Sequence, residues 1–189
     1  MSRELFATQL YEAQIEDEAL LGELAHSIAA LARDDTAGRK WSSDHGYRGY
    51  TSYASLNDLP RRDPAFADIA KVLGKHAGTF AKKLGWDHKP KLDSLWVNRL
   101  KSGGHHSGHI HPHSVISGTF YVEVPAGSGA IRFEDPRLPL MMAAPPRTEM
   151  FVSVDPRPGL LLMWESWLRH EVLPGTGKAE RLSISFNFA

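Results

Sequence analysis

Residues 92–124 read LDSLWVNRLKSGGHHSGHIHPHSVISGTFYVEV, and this stretch decides the architecture. Three runs of β-prone residues, Leu92–Leu100, Gly108–His113 and Ser117–Val124, are parted by Gly, Ser and Pro punctuation. The same texture continues to the C-terminus and predicts five further strands near Ala130–Phe133, Met150–Val154, Gly159–Trp164, His170–Leu173 and Arg181–Phe188. Connections are expected at Pro125–Gly129 and along the Pro-rich stretch Pro136–Pro146. Before Pro90 the period changes. Leu20, Leu21, Leu24, Ile28 and Leu31 recur at helical spacing within Glu16–Ala32, ahead of the breakers Asp34, Asp35 and Gly38. A second helix opens with Asp63 as N-cap and Pro64 at its first position, and carries Phe66, Ile69, Leu73, Phe80 and Leu84 to a stop at Gly85. Between them Lys40–Asn57 has no clear period but holds Trp41, Tyr47, Tyr50 and Tyr53, which predicts an ordered loop. Two helices before eight short strands predict a mainly β fold: a cupin-like jelly roll with two N-terminal helices packed on one face.

A length of 189 residues suits one domain, residues 1–90 as helical support and 91–189 as the jelly-roll core. Lys and Arg together number 22, matched by 22 Asp and Glu, so no overall field draws the chain to nucleic acid or an anionic membrane. Arg61-Arg62 and Lys82-Lys83 are isolated pairs, and Gly103-Gly104 lacks the context of a phosphate loop. No cysteine is present, which removes disulfides, thiolate ligands and Cys nucleophiles and fits a reducing cytoplasm. There is no signal-peptide pattern at Met1–Leu10 and no 18-residue apolar run, so the expectation is a soluble cytoplasmic protein; a homodimer is neither favoured nor forbidden.

Histidine is the compositional anomaly. Of ten, five fall within nine residues: His105, His106, His109, His111 and His113. On a strand, residues two apart share a face, so His109 and His111 can converge on one ion, with His170 as the candidate third ligand from a distant strand. An ordinary reading, in which these are surface or hydrogen-bonding histidines, fits a lone His better than five clustered ones. Pro112 breaks the ladder after His111 and should turn His113 away. Eleven residues beyond His170, Arg181 and Ser183 share a face of the last strand. A guanidinium fork with a neighbouring hydroxyl makes a carboxylate anchor, unless Arg181 simply faces solvent or pairs with Glu180. Trp164 and Trp167 flank the distal histidine, and core filling is the simpler role for them. His45, Arg48 and Tyr50 suggest, by position alone, part of a lid.

The motifs Trp96-Val-Asn98, His109-Ile-His111-Pro, Ser117-Gly-Thr-Phe-Tyr-Val122, Phe133-Glu-Asp-Pro-Arg137, His170-Glu-Val and Arg181-Leu-Ser-Ile-Ser-Phe-Asn187 resemble the 2-oxoglutarate- and Fe(II)-dependent oxygenase family. The loop Gly46–Ser52 and the second helix also fit in order and spacing. The resemblance implies a double-stranded β-helix in which His109, His111 and His170 bind Fe(II). It further implies that Arg181 and Ser183 hold the distal carboxylate of the cosubstrate 2-oxoglutarate, with Asn98 and Tyr121 in supporting or cosubstrate contacts. The implied reaction is hydroxylation of an unidentified small-molecule or peptide substrate, with decarboxylation of 2-oxoglutarate to succinate. One departure stands out. His111 occupies the place where Asp or Glu would complete a two-histidine, one-carboxylate triad.

Three arrangements follow from that departure: a three-histidine site, a carboxylate recruited from Glu165 or Glu171, or a site using His113 in place of His109. Two other functions compete with the oxygenase. One is a cupin-like metalloenzyme without 2-oxoglutarate, which lacks the Glu expected soon after the His pair and leaves Arg181 unexplained. The other is a non-catalytic jelly roll in which the histidines hold a structural metal or none. Ser-His-Asp hydrolysis finds no nucleophile elbow.

Overall fold

The structure, a computed structural model, describes residues 2–137, 140–143, 145 and 150–189. Of the expected connection Pro136–Pro146, residues 138, 139, 144 and 146 lie outside them. Three helices of eight residues or more precede the long β region, α1 (Glu18–Asp34), α2 (Thr36–Asp44) and α3 (Pro64–Lys83). Asp17 caps α1 through Leu20 N–H, and Asp63 caps α3 through Ala65 N–H while also accepting from Ser27 Oγ of α1 at 2.8 Å. Leu24, Ile28, Phe66, Ile69 and Leu73, spaced at helical period, are fully buried, and Gly85 at φ +78° ends α3's last turn.

Two antiparallel sheets carry the site. The larger runs in the order β1 (Leu10–Gln14), β8 (Leu160–Glu165), β5 (Ile116–Glu123), β10 (Arg181–Phe188), β3 (Leu92–Leu100), β2 (Gly49–Thr51). The smaller runs β4 (His106–His109), β9 (His170–Val172), β6 (Ile131–Glu134), β7 (Phe151–Val154). Strand β10 shows how alternation builds both faces. Leu182, Ile184, Phe186 and Phe188 enter the core shared with α1 and α3, whereas Arg181, Ser183, Ser185 and Asn187 look into a cavity on the sheet's other face. A second apolar cluster, including Tyr121, Ile131, Phe133, Leu160, Leu162 and Trp164, fills the space between the sheets. Gly118 of β5 is bare for a reason: a Cβ there would lie 2.5 Å from the carbonyl oxygen of Leu162, and Phe186 already fills the adjoining space.

The layered jelly roll with helices on one face therefore matches the sequence expectation, with four differences. Lys40–Asn57 is no mere loop, since it supplies the end of α2 and all of β2. Asp35 and Gly38, expected to break α1, start α2: the Asp35 carboxylate accepts from Gly38 N–H at 2.9 Å. Strand β1 adds an edge whose five residues are too few to signal themselves, with register supplied by β8. The strand expected over Gly108–His113 instead covers His106–His109, and the chain leaves the sheet at Ile110. Among the described residues no helix is long and apolar enough to cross a membrane.

Candidate metal and cosubstrate site

Strand β4 pairs with β9 so that His109 stands directly opposite His170, beyond a bulge that follows His106. His111 lies past the strand, yet its N–H donates to Ser166 O at 3.0 Å, which returns the side chain to the same place. The structure brings His109 and His111 together, as the sequence reading expected, but not by the shared face of a strand: a backbone hydrogen bond aims His111. Ligand atoms of His109, His111 and His170 lie within 4.8 Å of one another, and they are the one such cluster found among the described residues. His113 sits in the following turn at φ +71°, exposed and outside the group. Glu171 is tied to Arg132 and points off the other face of β9, and Glu165 does not line the cavity.

The donor set fits a metal. Carbonyl oxygens engage Nδ1 of two rings, Ser107 O with His109 at 2.7 Å and Leu168 O with His170 at 2.9 Å, so each leaves its Nε2 lone pair for an ion. His111 Nε2 is 3.3 Å from His170 Nε2, within the span of about 3.0–3.4 Å between adjacent donors when metal–imidazole bonds are about 2.1 Å. Burial pushes His170 down to about 3 and His111 to about 4, which keeps both rings neutral, the form that ligates. Trp164 meets the His170 ring edge to face at 4.5 Å and fixes its plane. Trp164 is buried and lines the cavity, while Trp167 is exposed.

The cavity, about 380 Å³, runs from these histidines to Arg181. Arg181 is only 5% exposed, and among the described residues no carboxylate pairs with it. Glu180, its neighbour in the chain, is taken by Arg99. One guanidinium nitrogen donates to Gly129 O at 2.9 Å, while Nε has no partner, and the group lies 5.5 Å from the centroid of the Tyr121 ring. Burial lowers the Arg181 pKa from its usual range and pushes the Tyr121 hydroxyl up to about 12. The Tyr121 hydroxyl and Trp164 Nε1 are also buried without partners. All three orphaned atoms belong to residues that line this one cavity, the pattern of a pocket built for a polar ligand.

Ser183 lies opposite Asn98 on β3 and Tyr121 on β5, so the three residues form one patch of the sheet. Of the two roles expected for Asn98, support of the wall or cosubstrate contact, its hydrogen bonds serve the first. Its Oδ1 accepts from Thr51 Oγ1 (2.9 Å) and Tyr47 Oη (3.3 Å), and its Nδ2 donates to Ser185 Oγ (2.9 Å), so the amide is spent on bracing the wall. Sequence reasoning missed Tyr47 and His106, joined at 2.9 Å inside the cavity. Burial drives the His106 pKa to about 3 and raises that of Tyr47 well above the ordinary phenol range. The lid suggestion fails as well: Tyr50 is buried with its hydroxyl on Asp35, Arg48 reaches Ser102 O, and His45 stacks on Trp41. From the same segment it is Trp41, Tyr47, Thr51 and Tyr53 that line the cavity. The density of aromatics there was the signal.

A family described as "Putative 2OG-Fe(II) oxygenase" matches residues 94–187, which include every candidate ligand and anchor. The chain belongs to the 2-oxoglutarate- and Fe(II)-dependent oxygenases, a family of oxidoreductases whose metal is Fe(II) and whose cosubstrate is 2-oxoglutarate. Solved structures agree in fold. A Pseudomonas putida prolyl-4-hydroxylase superposes with a TM-score of 0.64 at 17% identity, over 96% of this chain and 92% of its own. The epimerase SnoN from nogalamycin biosynthesis, solved in complex with Fe3+, alpha ketoglutarate and nogalamycin RO, gives 0.65 at 17% identity over 96% and 78% of the two chains. An oxidoreductase of the same oxygenase family from Burkholderia pseudomallei gives 0.52 at 17% identity over 67% of this chain and 58% of that one. No curated protein matches the chain in sequence.

Proposed function

We propose that the chain is a three-histidine Fe(II) and 2-oxoglutarate-dependent hydroxylase, in which His109, His111 and His170 hold the metal and Arg181 with Ser183 binds the distal carboxylate of the cosubstrate. The observation that carries this reading is Arg181, a buried guanidinium without a carboxylate, in the same cavity as the histidine cluster. A buried cation is costly until an anion pairs with it, and a planar fork with a hydroxyl nearby suits a carboxylate. Iron bound there with 2-oxoglutarate and O2 supplies decarboxylation to succinate and CO2, one oxygen atom entering succinate and the other a substrate C–H bond.

The chain's own groups bind, orient and exclude water. Ser107 O and Leu168 O keep Nδ1 of His109 and His170 protonated and their Nε2 atoms free. Gly129 O and the Tyr121 ring hold the Arg181 plane, and its free Nε–H is available to the carboxylate. Asn98 fixes Tyr47, Thr51 and Ser185 along the wall. Trp164 and Ile131 close the space between the sheets against solvent. A cupin-like enzyme without 2-oxoglutarate has no use for the Arg181 and Ser183 pair. Trp41, Tyr47, Thr51 and Tyr53 from residues 1–90 line the cavity with residues from 91–189, which supports one domain acting on a small-molecule or peptide substrate.

The test is succinate formation from 2-oxoglutarate in the presence of Fe(II), ascorbate and O2. The reading expects uncoupled turnover in the parent and its loss in Arg181→Ala and His170→Ala. Equal succinate formation in the parent and Arg181→Ala would overturn it.

A further inference from the structure

We infer that the primary substrate presents an uncharged ring, held at the cavity mouth against Trp41, Tyr53 and Trp96. This rests on the oxygenase reading and names the substrate class for the same site. The three side chains come from α2, the segment after β2, and β3, so three separate elements bring rings to one rim. Tyr53 meets Trp41 at 6.3 Å and Trp96 at 5.2 Å between centroids, both edge to face, and Trp96 lies 6.2 Å from His111. The rings thus form a continuous path from solvent to the metal ligands. Tyr53 is 56% exposed, and Ile110, also lining the cavity, is 47% exposed. Large apolar side chains left open around the mouth of a cavity mark a binding surface.

Charge then selects among ring-bearing ligands. Among the described residues no carboxylate lines the cavity, and Arg181 is its sole charged side chain. With His111 in place of a carboxylate, the two charges of iron are offset by the two carboxylates of 2-oxoglutarate, and the charge of Arg181 remains. A cationic substrate meets aromatic faces but also this net positive interior, in a medium where charge is poorly screened. An anionic one is drawn by that charge, but with Arg181 taken by 2-oxoglutarate it has no second guanidinium to pair with, and its carboxylate would lose water among ring faces. Thr51 and Asn98, which also line the cavity, are already bonded to each other. What the mouth offers is ring faces, which suit stacking and edge-to-face packing with a neutral ring.

The experiment uses indole as the neutral probe, tryptamine as its cationic relative and indole-3-carboxylate as the anionic one. Each is titrated anaerobically into the Fe(II)-loaded protein with 2-oxoglutarate, by ligand-observed NMR. We expect indole to bind, tryptamine and indole-3-carboxylate to bind at least about tenfold more weakly, and Tyr53→Ala or Trp41→Ala to weaken indole by about tenfold. Tyr53→Phe, which keeps the ring and loses only the hydroxyl, should retain indole binding. No indole binding, indole binding unchanged in Tyr53→Ala, or tighter binding of tryptamine would overturn the inference. Binding of 2-oxoglutarate is measured in the same samples by calorimetry. Where it binds and indole does not, the substrate class alone is wrong; where it does not bind, the oxygenase reading beneath has failed.

Discussion

His109 faces His170 across the β4–β9 ladder, and each donates its Nδ1–H to a carbonyl oxygen two residues before it in the chain. That symmetry fixes two imidazoles in the same tautomer before any metal arrives. His111, turned in by Ser166 O, completes a cluster that contains no carboxylate.

Replacement of His111 by Asp would give the triad the family's more usual composition. We expect His111→Asp to retain Fe(II) binding, whereas His109→Ala and His170→Ala each lower metal affinity by at least about tenfold. Glu165→Gln and Glu171→Gln should leave it unchanged, because neither carboxylate joins the cluster. Competition against a chromogenic chelator measures all five; a loss in Glu165→Gln or Glu171→Gln would mean a recruited carboxylate.

Arg181 separates stability from function. Exchange of a buried, unpaired charge for an apolar side chain of similar length is often neutral or stabilising. Arg181→Met should keep the melting temperature within a few degrees of the parent or raise it, while 2-oxoglutarate affinity falls at least about 100-fold, as for loss of a charge-assisted fork worth roughly 3 kcal/mol. Thermal denaturation beside calorimetry gives both numbers.

Acid should destabilise the metal-free protein through its buried histidines. Folded His106 and His170 are pushed down to about 3 and His111 to about 4, chiefly by burial, while unfolded histidine titrates near 6.5. Between those values the unfolded chain binds more protons, so stability is full above pH about 6.5 and falls as pH drops towards 4, by up to about 1.4 kcal/mol per pH unit per histidine. Chemical denaturation from pH 7.5 to 4.5 reads this slope. His106→Gln should make it shallower, since one such group is gone.

Gly118 tests the packing behind the site. An added methyl has no room between the Leu162 carbonyl and the Phe186 ring, so Gly118→Ala should cost about 1–3 kcal/mol. The midpoint of urea denaturation gives the value.

What the sequence made legible was what repeats or clusters. Alternation along Arg181–Phe188 and the helical period of Glu16–Ala32 and Pro64–Leu84 signal buried faces, and those elements stand where they were expected. The histidine cluster and Arg181 stood out because charged or ligating groups in apolar strands need a partner. Other features depended on contacts distant in the chain. The inward turn of His111 comes from Ser166, 55 residues on, and the register of β1 comes from β8. That Asn98 braces the wall follows from where Tyr47, Thr51 and Ser185 meet it, which no local pattern encodes. The segment Lys40–Asn57 hid a helix because Gly38 and the serines of α2 are weak helix formers, stabilised here by the Asp35 cap and by burial of Gly38 and Ser42.

The most direct measurement is an anaerobic titration of metal-free protein with Fe(II) and then 2-oxoglutarate, followed by visible absorption, with Arg181→Ala alongside. The account predicts a weak charge-transfer band from the chelated keto acid in the parent, and a much higher 2-oxoglutarate concentration to reach it in the variant. Iron binding with no band at any 2-oxoglutarate concentration, or a band equally easy to form without Arg181, would contradict it.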